Sequence, residues 1–145
     1  MPETQLPNSA APQLPTFCVD LDGTIVELQD GPYDPQAPLA PCLPGAIAAI
    51  NALADHYEIV VLTARLNLAG THRAILHELQ SRGLRVAWVT NVKQPAVAYI
   101  DDRAVHFCGW ERLPLSLANQ SEVPAAVTLE VMDALKAALC QGVPS

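Results

Sequence analysis

The stretch Phe17-Cys18-Val19-Asp20-Leu21-Asp22-Gly23-Thr24 decides the fold prediction for the whole chain. Its first three residues carry no polar break, which is typical of a buried strand in a parallel sheet. Asp20 then stands at the carboxyl end of the strand, where open α/β sheets bind ligands, and Gly23 lets the backbone turn away. Because Asp20 and Asp22 would repel each other there, the pattern indicates a hard cation such as Mg²⁺.

A calcium-binding loop and a plain turn are two other interpretations of this stretch. A calcium loop needs a glutamate at its twelfth position, but counting from Asp20 that position is Gly31. A strand rather than a helix is also predicted before it. Asp-Gly is common in ordinary turns, so a plain turn stays open until the rest of the chain is considered.

Asp-x-Asp-Gly-Thr after a hydrophobic strand resembles the first motif of the haloacid dehalogenase superfamily of phosphatases and phosphotransferases. The resemblance implies that Asp20 is the nucleophile, which becomes an aspartyl phosphate, and that Asp22 is the general acid and base. Carboxylate chemistry agrees with these roles. One carboxylate can accept a phosphoryl group covalently, and a second can protonate the leaving group.

Composition narrows the classes of protein to which the chain can belong. Its 145 residues, 50% of them hydrophobic, are enough for one domain with a sizeable core. The net charge of -7 argues against a general affinity for nucleic acid. No apolar run approaches the ~18 residues of a membrane span, and the first residues lack the pattern of a secretory signal. We therefore expect a cytoplasmic protein whose four cysteines, none in a Cys-x-x-Cys pair, are reduced thiols.

Hydrophobic periodicity predicts alternating strands and helices after a flexible lead-in at residues 1–15. Strands are predicted at residues 16–20, 57–62, 84–90 and 97–100, with a short further element at 104–107. Helices are predicted at residues 44–56, at 70–82 and around residues 127–139, and five prolines predict an irregular flap over residues 25–44. The alternation predicts a Rossmann-like α/β three-layer sandwich with a mostly parallel sheet, in which residues 16–145 form a single domain.

Thr63 and Arg65 follow the second predicted strand, so both are expected near the same crevice as Asp20. The Thr63 hydroxyl can donate to a phosphate oxygen, although threonine is also an ordinary strand residue. In Val60-Val61-Leu62-Thr63-Ala64-Arg65, Thr63 resembles the second motif of the superfamily. Arg65 is not a fixed part of that motif, and it either clamps the substrate phosphate or is a solvated charge.

Lys93 and the pair Asp101-Asp102 complete the candidate site. Lys93, one of only two lysines, is either a solvated charge or the counterpart of the third motif, whose lysine neutralises the nucleophile and the phosphate. Two consecutive acids at an apolar strand end resemble the fourth motif, which holds Mg²⁺; the alternative is an acidic helix N-terminus. The resemblance favours Asp102 as the direct metal ligand. Asp101 would then act through a water molecule or by contacting the groups that coordinate the metal.

The motifs occur in superfamily order and predict a Mg²⁺-dependent phosphomonoester hydrolase. In this interpretation Asp20, Asp102 and the backbone carbonyl of Asp22 hold the metal, while Thr63 and Lys93 hold the phosphate. The resemblance also implies a small capless member, because neither gap between motifs is long enough for a cap domain. Capless members accept large substrates or close the site with a neighbouring subunit, so the resemblance allows a homo-oligomer. The expected substrate is a small phosphorylated molecule.

Two other functions compete with a phosphatase. A phospho-accepting domain of the receiver type also combines acids, threonine and lysine around Mg²⁺, but its acidic pair comes early in the chain and its phosphorylated aspartate midway. The order here is the reverse. A non-catalytic binding module on a phosphatase fold is the second alternative, and the complete set of acids argues against it.

Overall fold

The structure is a computed structural model that describes residues 13–142. The predicted lead-in therefore lies, up to residue 12, outside the described residues. The strands are β1 (Thr16–Asp20), β2 (Glu58–Leu62), β3 (Trp88–Thr90) and β4 (Ala98–Ile100). The helices are α1 (Ala46–Ala54), α2 (Thr71–Ser81), α3 (Leu113–Leu117) and α4 (Ala125–Cys140), with a 3-10 helix at Trp110–Arg112. The chain forms two compact units, one ending at Asp102 and one beginning at Arg103, and a single domain over residues 16–145 stays a prediction.

One sheet in the order β3-β2-β1-β4 organises the first unit, and each of its pairings is parallel. The register aligns Asp20 of β1 with Leu62 of β2, and Val19 of β1 with Ile100 of β4. The carboxyl ends of β1, β2 and β4 therefore meet at one rim of the sheet, with β1 in the middle. The predicted Rossmann-like α/β fold with a mostly parallel sheet is confirmed.

Helices α1 and α2 cover the sheet with their apolar residues. The main core cluster joins alternate residues of β1 and β2 to buried positions of both helices: Val19, Ile59, Val61, Ile50, Ala54, Ile75 and Leu79. Complete burial of a leucine such as Leu79 stabilises the fold by about 1.5–3 kcal/mol. The core thus holds β1 and β2 rigidly and fixes where their carboxyl ends lie.

The proline-rich loop, residues 27–41, is the irregular segment that was predicted as a flap. Its two ends are joined by an antiparallel bridge between Val26 and Cys42. The Glu27 N–H donates to the Pro41 carbonyl at 2.9 Å, and the Leu43 N–H donates to the Ile25 carbonyl at 2.8 Å. The loop therefore leaves and re-enters the fold at one place, and its proline content keeps it out of helix and sheet.

Neither gap between the predicted motifs contains an inserted domain. The chain from Asp22 to Thr63 holds the proline-rich loop, α1 and β2, and the chain from Thr63 to Lys93 holds α2 and β3. This is the capless arrangement that the sequence predicted.

Two predicted elements differ from the observed ones by more than two residues at an end. β3 occupies only the end of the predicted strand 84–90, because Leu84 and Val86 are apolar for core packing rather than for strand pairing. The element predicted at residues 104–107 is not a strand. Its carbonyls at Ala104 and His106 instead accept hydrogen bonds from side chains that follow it in the chain, at 3.1 and 2.9 Å.

The second unit contains the 3-10 helix, α3 and α4. The predicted last helix is present as α4. Phe107 and Trp110 pack edge to face with ring centres 5.1 Å apart. In the described part of the chain, every helix is too short or too polar to cross a bilayer.

Candidate active site

Three carboxylates meet at the rim of the sheet. Asp20 ends β1, while Asp101 and Asp102 directly follow β4, the parallel neighbour of β1. One oxygen from each of the three lies within 4.8 Å of the other two. Oxygen atoms of carboxylates are the ligands that a hard divalent cation such as Mg²⁺ prefers, so this donor set fits the predicted metal.

Thr24 lies between two of these acids. Its Oγ1 is 3.2 Å from Oδ2 of Asp20 and 3.4 Å from Oδ1 of Asp102, and it accepts the Asp102 N–H at 3.1 Å. A hydroxyl has one hydrogen, so it donates to one carboxylate at a time. No role was predicted for Thr24, although its position directly after Asp-x-Asp-Gly was the available signal.

Gly23 permits the close approach of Asp102. Its φ of +87° lies in the left-handed region, which residues with a side chain rarely adopt. A Cβ at this position would stand 2.6 Å from Oδ2 of Asp102 and 2.9 Å from Cδ2 of Leu28. A side chain at this position would strain the backbone and would have to displace the Asp102 carboxylate.

Burial and two neighbouring acids change the ionisation of Asp20. Partial burial raises the pKa of Asp20 to about 6, and the negative charges of Asp101 and Asp102 add to the rise. Hydrogen bonds from the Leu21 N–H and from Thr24 act in the opposite direction. A cation bound between the carboxylates would relieve the repulsion, so the electrostatics of the rim agree with a metal site.

Asp22 points to a different partner, the buried guanidinium of Arg65. Nε of Arg65 donates to Oδ2 at 2.9 Å and Nη2 donates to Oδ1 at 2.8 Å, which is a bidentate pair. The Arg65 side chain is 2% exposed and that of Asp22 is 15% exposed. The hydrogen bond to Asp22 raises the pKa of Arg65, against the effect of burial. Arg65 is therefore not a solvated charge, and its contact with substrate phosphate stays a prediction.

The register of the sheet explains how Asp22 and Arg65 meet. Asp20 and Leu62 are aligned at the ends of neighbouring strands, and each of the two charged residues follows shortly after one of these ends. Both residues were predicted to lie at the crevice, but not to contact each other. The signal in the sequence was that each follows a predicted strand end by two or three residues, which indicates a contact only once β1 and β2 are known to be neighbours.

Thr63 lies directly after β2 and is 3% exposed. Its N–H donates to the Thr90 carbonyl at 2.9 Å, and its Oγ1 accepts the Arg65 N–H at 3.1 Å. A hydroxyl that accepts a hydrogen bond can still donate one, so Thr63 is chemically able to bind a phosphate oxygen. That role stays a prediction.

Lys93 is exposed, and its ammonium lies 5.0 Å from the centre of the Tyr99 ring. Among the contacts of the described residues there is no ion pair between Lys93 and Asp20. Lys93 follows β3, whereas Tyr99 belongs to β4. The role of Lys93 beside Asp20 and the phosphate stays a prediction.

The comparison with known proteins supports the fold. No protein-family model matches the chain, and no curated protein matches it. A similar solved structure is that of a conserved protein coded by a locus from Bacteroides thetaiotaomicron, with 22% identity and a TM-score of 0.50. The match covers 64% of this chain and 79% of that one. At this identity the likeness concerns the fold alone, and membership of the haloacid dehalogenase superfamily stays a prediction.

Proposed function

We propose that this protein is a Mg²⁺-dependent phosphomonoester hydrolase that works through an aspartyl phosphate, as its motifs suggest. The main support is the convergence of Asp20, Asp101 and Asp102, whose carboxylate oxygens lie within 4.8 Å of one another at the carboxyl ends of β1 and β4. A second carboxylic acid, Asp22, belongs to the same turn as Asp20. A nucleophile, a proton carrier and a set of metal ligands are the groups that this reaction needs.

Asp20 is the nucleophile in this proposal. Its carboxylate oxygen attacks phosphorus in line, and the bond from phosphorus to the leaving oxygen breaks as the aspartyl phosphate forms. Asp22 gives its proton to the leaving oxygen and then removes a proton from the water that attacks phosphorus. As the water oxygen bonds to phosphorus, the bond between phosphorus and the Asp20 oxygen breaks. Inorganic phosphate leaves, Asp20 is again a carboxylate and Asp22 again carries its proton.

The predicted metal fits the donor atoms at the rim. Asp20, Asp102 and the backbone carbonyl of Asp22 would hold Mg²⁺, with Asp101 contributing directly or through water. When bound, the ion neutralises negative charge on the phosphoryl group and on the carboxylates. Thr63 would donate a hydrogen bond to a phosphate oxygen, and Lys93 would supply a further positive charge.

The substrate in this proposal is a small phosphorylated molecule. The net charge of -7 disfavours nucleic acid as a general partner. A cytoplasmic location and assembly into a homo-oligomer belong to the same proposal. The oligomer is motivated by the capless arrangement, because a neighbouring subunit can close a site that has no cap.

Hydrolysis of an aryl phosphate in the presence and absence of Mg²⁺ tests the proposal. We expect Mg²⁺-dependent turnover in the wild-type protein and a loss of more than ~10³-fold in Asp20→Asn, which removes the nucleophile but keeps the side-chain shape. Asp133→Asn, which changes an exposed acid of α4, is the matched control and should keep full activity.

Three results would count against this proposal. Activity retained in Asp20→Asn would remove the assigned nucleophile. Stable phosphorylation of Asp20 at one equivalent per chain, without turnover, would favour the phospho-accepting alternative, and absence of both turnover and phosphorylation would favour a binding module.

A further inference from the structure

Arg65 is held at both its main chain and its side chain. Its N–H donates to Oγ1 of Thr63, and its carbonyl lies 2.6 Å from Nε2 of the buried His72, which must donate because a carbonyl only accepts. Its guanidinium binds both oxygens of Asp22, and Nη1 also donates to the Ala37 carbonyl at 2.6 Å. Arg65 therefore connects the rim of the sheet, the start of α2 and the proline-rich loop.

Hydrogen bonds connect the proline-rich loop to a residue before α2 and to a residue after it. A cavity of about 370 Å³ lies between the loop and α2, and Arg65 forms part of its wall. Just past the end of α2, Arg82 donates to the carbonyls of Leu39 and Ala40 at 3.0 and 2.6 Å. The two arginines hold adjacent parts of the loop, but only Arg65 also binds Asp22.

We propose that Arg65 is a positioning residue, which holds the Asp22 carboxylate and the proline-rich loop in one fixed arrangement. This inference rests on the proposed function, in which Asp22 carries the proton for the leaving oxygen. The bidentate pair fixes the plane of the carboxylate, and each oxygen keeps a second lone pair for a proton. Because a displacement of about 1 Å can lower a rate ~10²-fold, a loosened Asp22 would transfer its proton poorly.

The test depends on how much each substrate needs that proton. An alkyl phosphate has a poor leaving group and needs protonation, whereas a dinitrophenyl phosphate leaves without it. Arg65→Lys keeps the positive charge but lacks the planar pair of donors. Hydrolysis of the aspartyl phosphate also uses Asp22 and is common to both substrates, so the comparison is made on kcat/KM, which reports the steps up to departure of the leaving group. We expect kcat/KM to fall on the order of 10²-fold with the alkyl phosphate and less than ~10-fold with the dinitrophenyl phosphate.

Arg82→Lys is the matched control, because Arg82 holds the loop without touching Asp22. Its effect on kcat/KM should be the same factor for both substrates. Hydrogen exchange of residues 27–41, measured on the Mg²⁺-loaded protein without substrate, gives a readout that is independent of activity. We expect exchange in the loop to increase in both variants.

If Arg65→Lys does not fold, the double variant Asp22→Asn with Arg65→Gln decides, because it removes both charges of the pair. Its kcat should then equal that of Asp22→Asn alone within ~3-fold, since Arg65 acts through Asp22. A clear further loss would overturn the proposal.

Three other results would also overturn it. The first is that Arg65→Lys lowers kcat/KM by the same factor for both substrates. The second is that Arg82→Lys shows an equally large difference between the substrates. The third is that hydrogen exchange of the loop is unchanged in Arg65→Lys. If the wild-type protein hydrolyses neither phosphate, the proposed function fails and the inference fails with it. If the wild-type protein hydrolyses both phosphates but Arg65→Lys shows no difference between them, only the role of Arg65 is overturned.

Discussion

Asp20 is the residue at which the electrostatics of the rim can be measured most directly. Without a cation its pKa is raised to about 6, chiefly by burial. In the unfolded chain an aspartate titrates near ~3.9, so between these values the folded protein binds more protons than the unfolded one. The contribution of Asp20 to stability is therefore fully present below about pH 4 and is lost as the pH rises through about 6.

We expect the metal-free protein to unfold at a lower temperature at about pH 7.5 than at about pH 5. Mg²⁺ should raise the unfolding temperature at the higher pH and have much less effect at the lower pH, where protons compete for Asp20. Thermal unfolding of the wild type and of Asp20→Asn, with and without Mg²⁺, measures both effects. Identical pH dependence in the two proteins would contradict the assignment to Asp20.

Gly23 provides a second test at the residue scale, with Gly31 as the matched control. Both glycines have positive φ, +87° and +81°, but nothing lies within 4 Å of a Cβ added at Gly31. Each substitution by alanine should destabilise the protein by about 1–2 kcal/mol because of the left-handed backbone. Only Gly23→Ala should also weaken Mg²⁺ binding, because its Cβ displaces Asp102.

Isothermal titration with Mg²⁺, together with chemical denaturation, separates these two effects. If Gly31→Ala weakened Mg²⁺ binding as much as Gly23→Ala, backbone strain rather than the position of Asp102 would be the cause.

At the scale of elements, the connection from β2 to α2 depends on a few hydrogen bonds. Asn67 accepts the N–H of His72 with its side-chain oxygen at 3.1 Å, and the His72 ring binds the Arg65 carbonyl. His72 is only 7% exposed, which is unusual for a side chain with two polar nitrogens. The first turn of α2 is thereby joined to the residue that holds Asp22.

We expect His72→Leu to lower the free energy of unfolding by about 1–3 kcal/mol, because the substitution leaves a buried carbonyl without its donor. His77, an exposed residue of the same helix, gives the matched control, and His77→Leu should change stability by less than about 0.5 kcal/mol. Urea denaturation of the two variants makes the comparison. Equal stabilities would show that the ring of His72 is not needed to hold the connection.

At the scale of the whole molecule, the net charge of -7 acts on any anionic substrate. A phosphate monoester approaches a negatively charged protein, and added salt screens that repulsion over about 10 Å at an ionic strength of about 0.1 M. The proposed function therefore has a direct consequence for association kinetics.

We expect kcat/KM for a phosphate monoester to increase when ionic strength is raised from about 0.02 M to about 0.2 M at constant Mg²⁺. The value of kcat at saturating substrate should change much less, because bound groups at the rim are screened weakly. Steady-state kinetics across this range supply the measurement. A fall of kcat/KM with salt would mean that local positive charge, for example from Lys93, dominates the approach of the substrate.

Local patterns in the sequence were sufficient for most of the strands and helices. The first strand was predicted at residues 16–20, which are the observed bounds of β1, because a continuous apolar run and a following Asp-Gly turn define both of its ends. Helix α2 was predicted one residue too long at each end, because the prediction included its capping residues Gly70 and Arg82. The end of β3 was placed correctly but its start was not, since a residue can be apolar to fill the core without pairing in a sheet.

The sequence by itself determined the alternation of strands and helices and the acids, threonine and arginine that stand just beyond the strand ends. These features depend on periodicity and turn chemistry within a few residues. Only the tertiary structure decided that β1 lies between β2 and β4, so that Asp20 meets Asp101 and Asp102 while Asp22 meets Arg65. Contacts between residues 43 or 78 positions apart arise from strand order and packing, which no local pattern records.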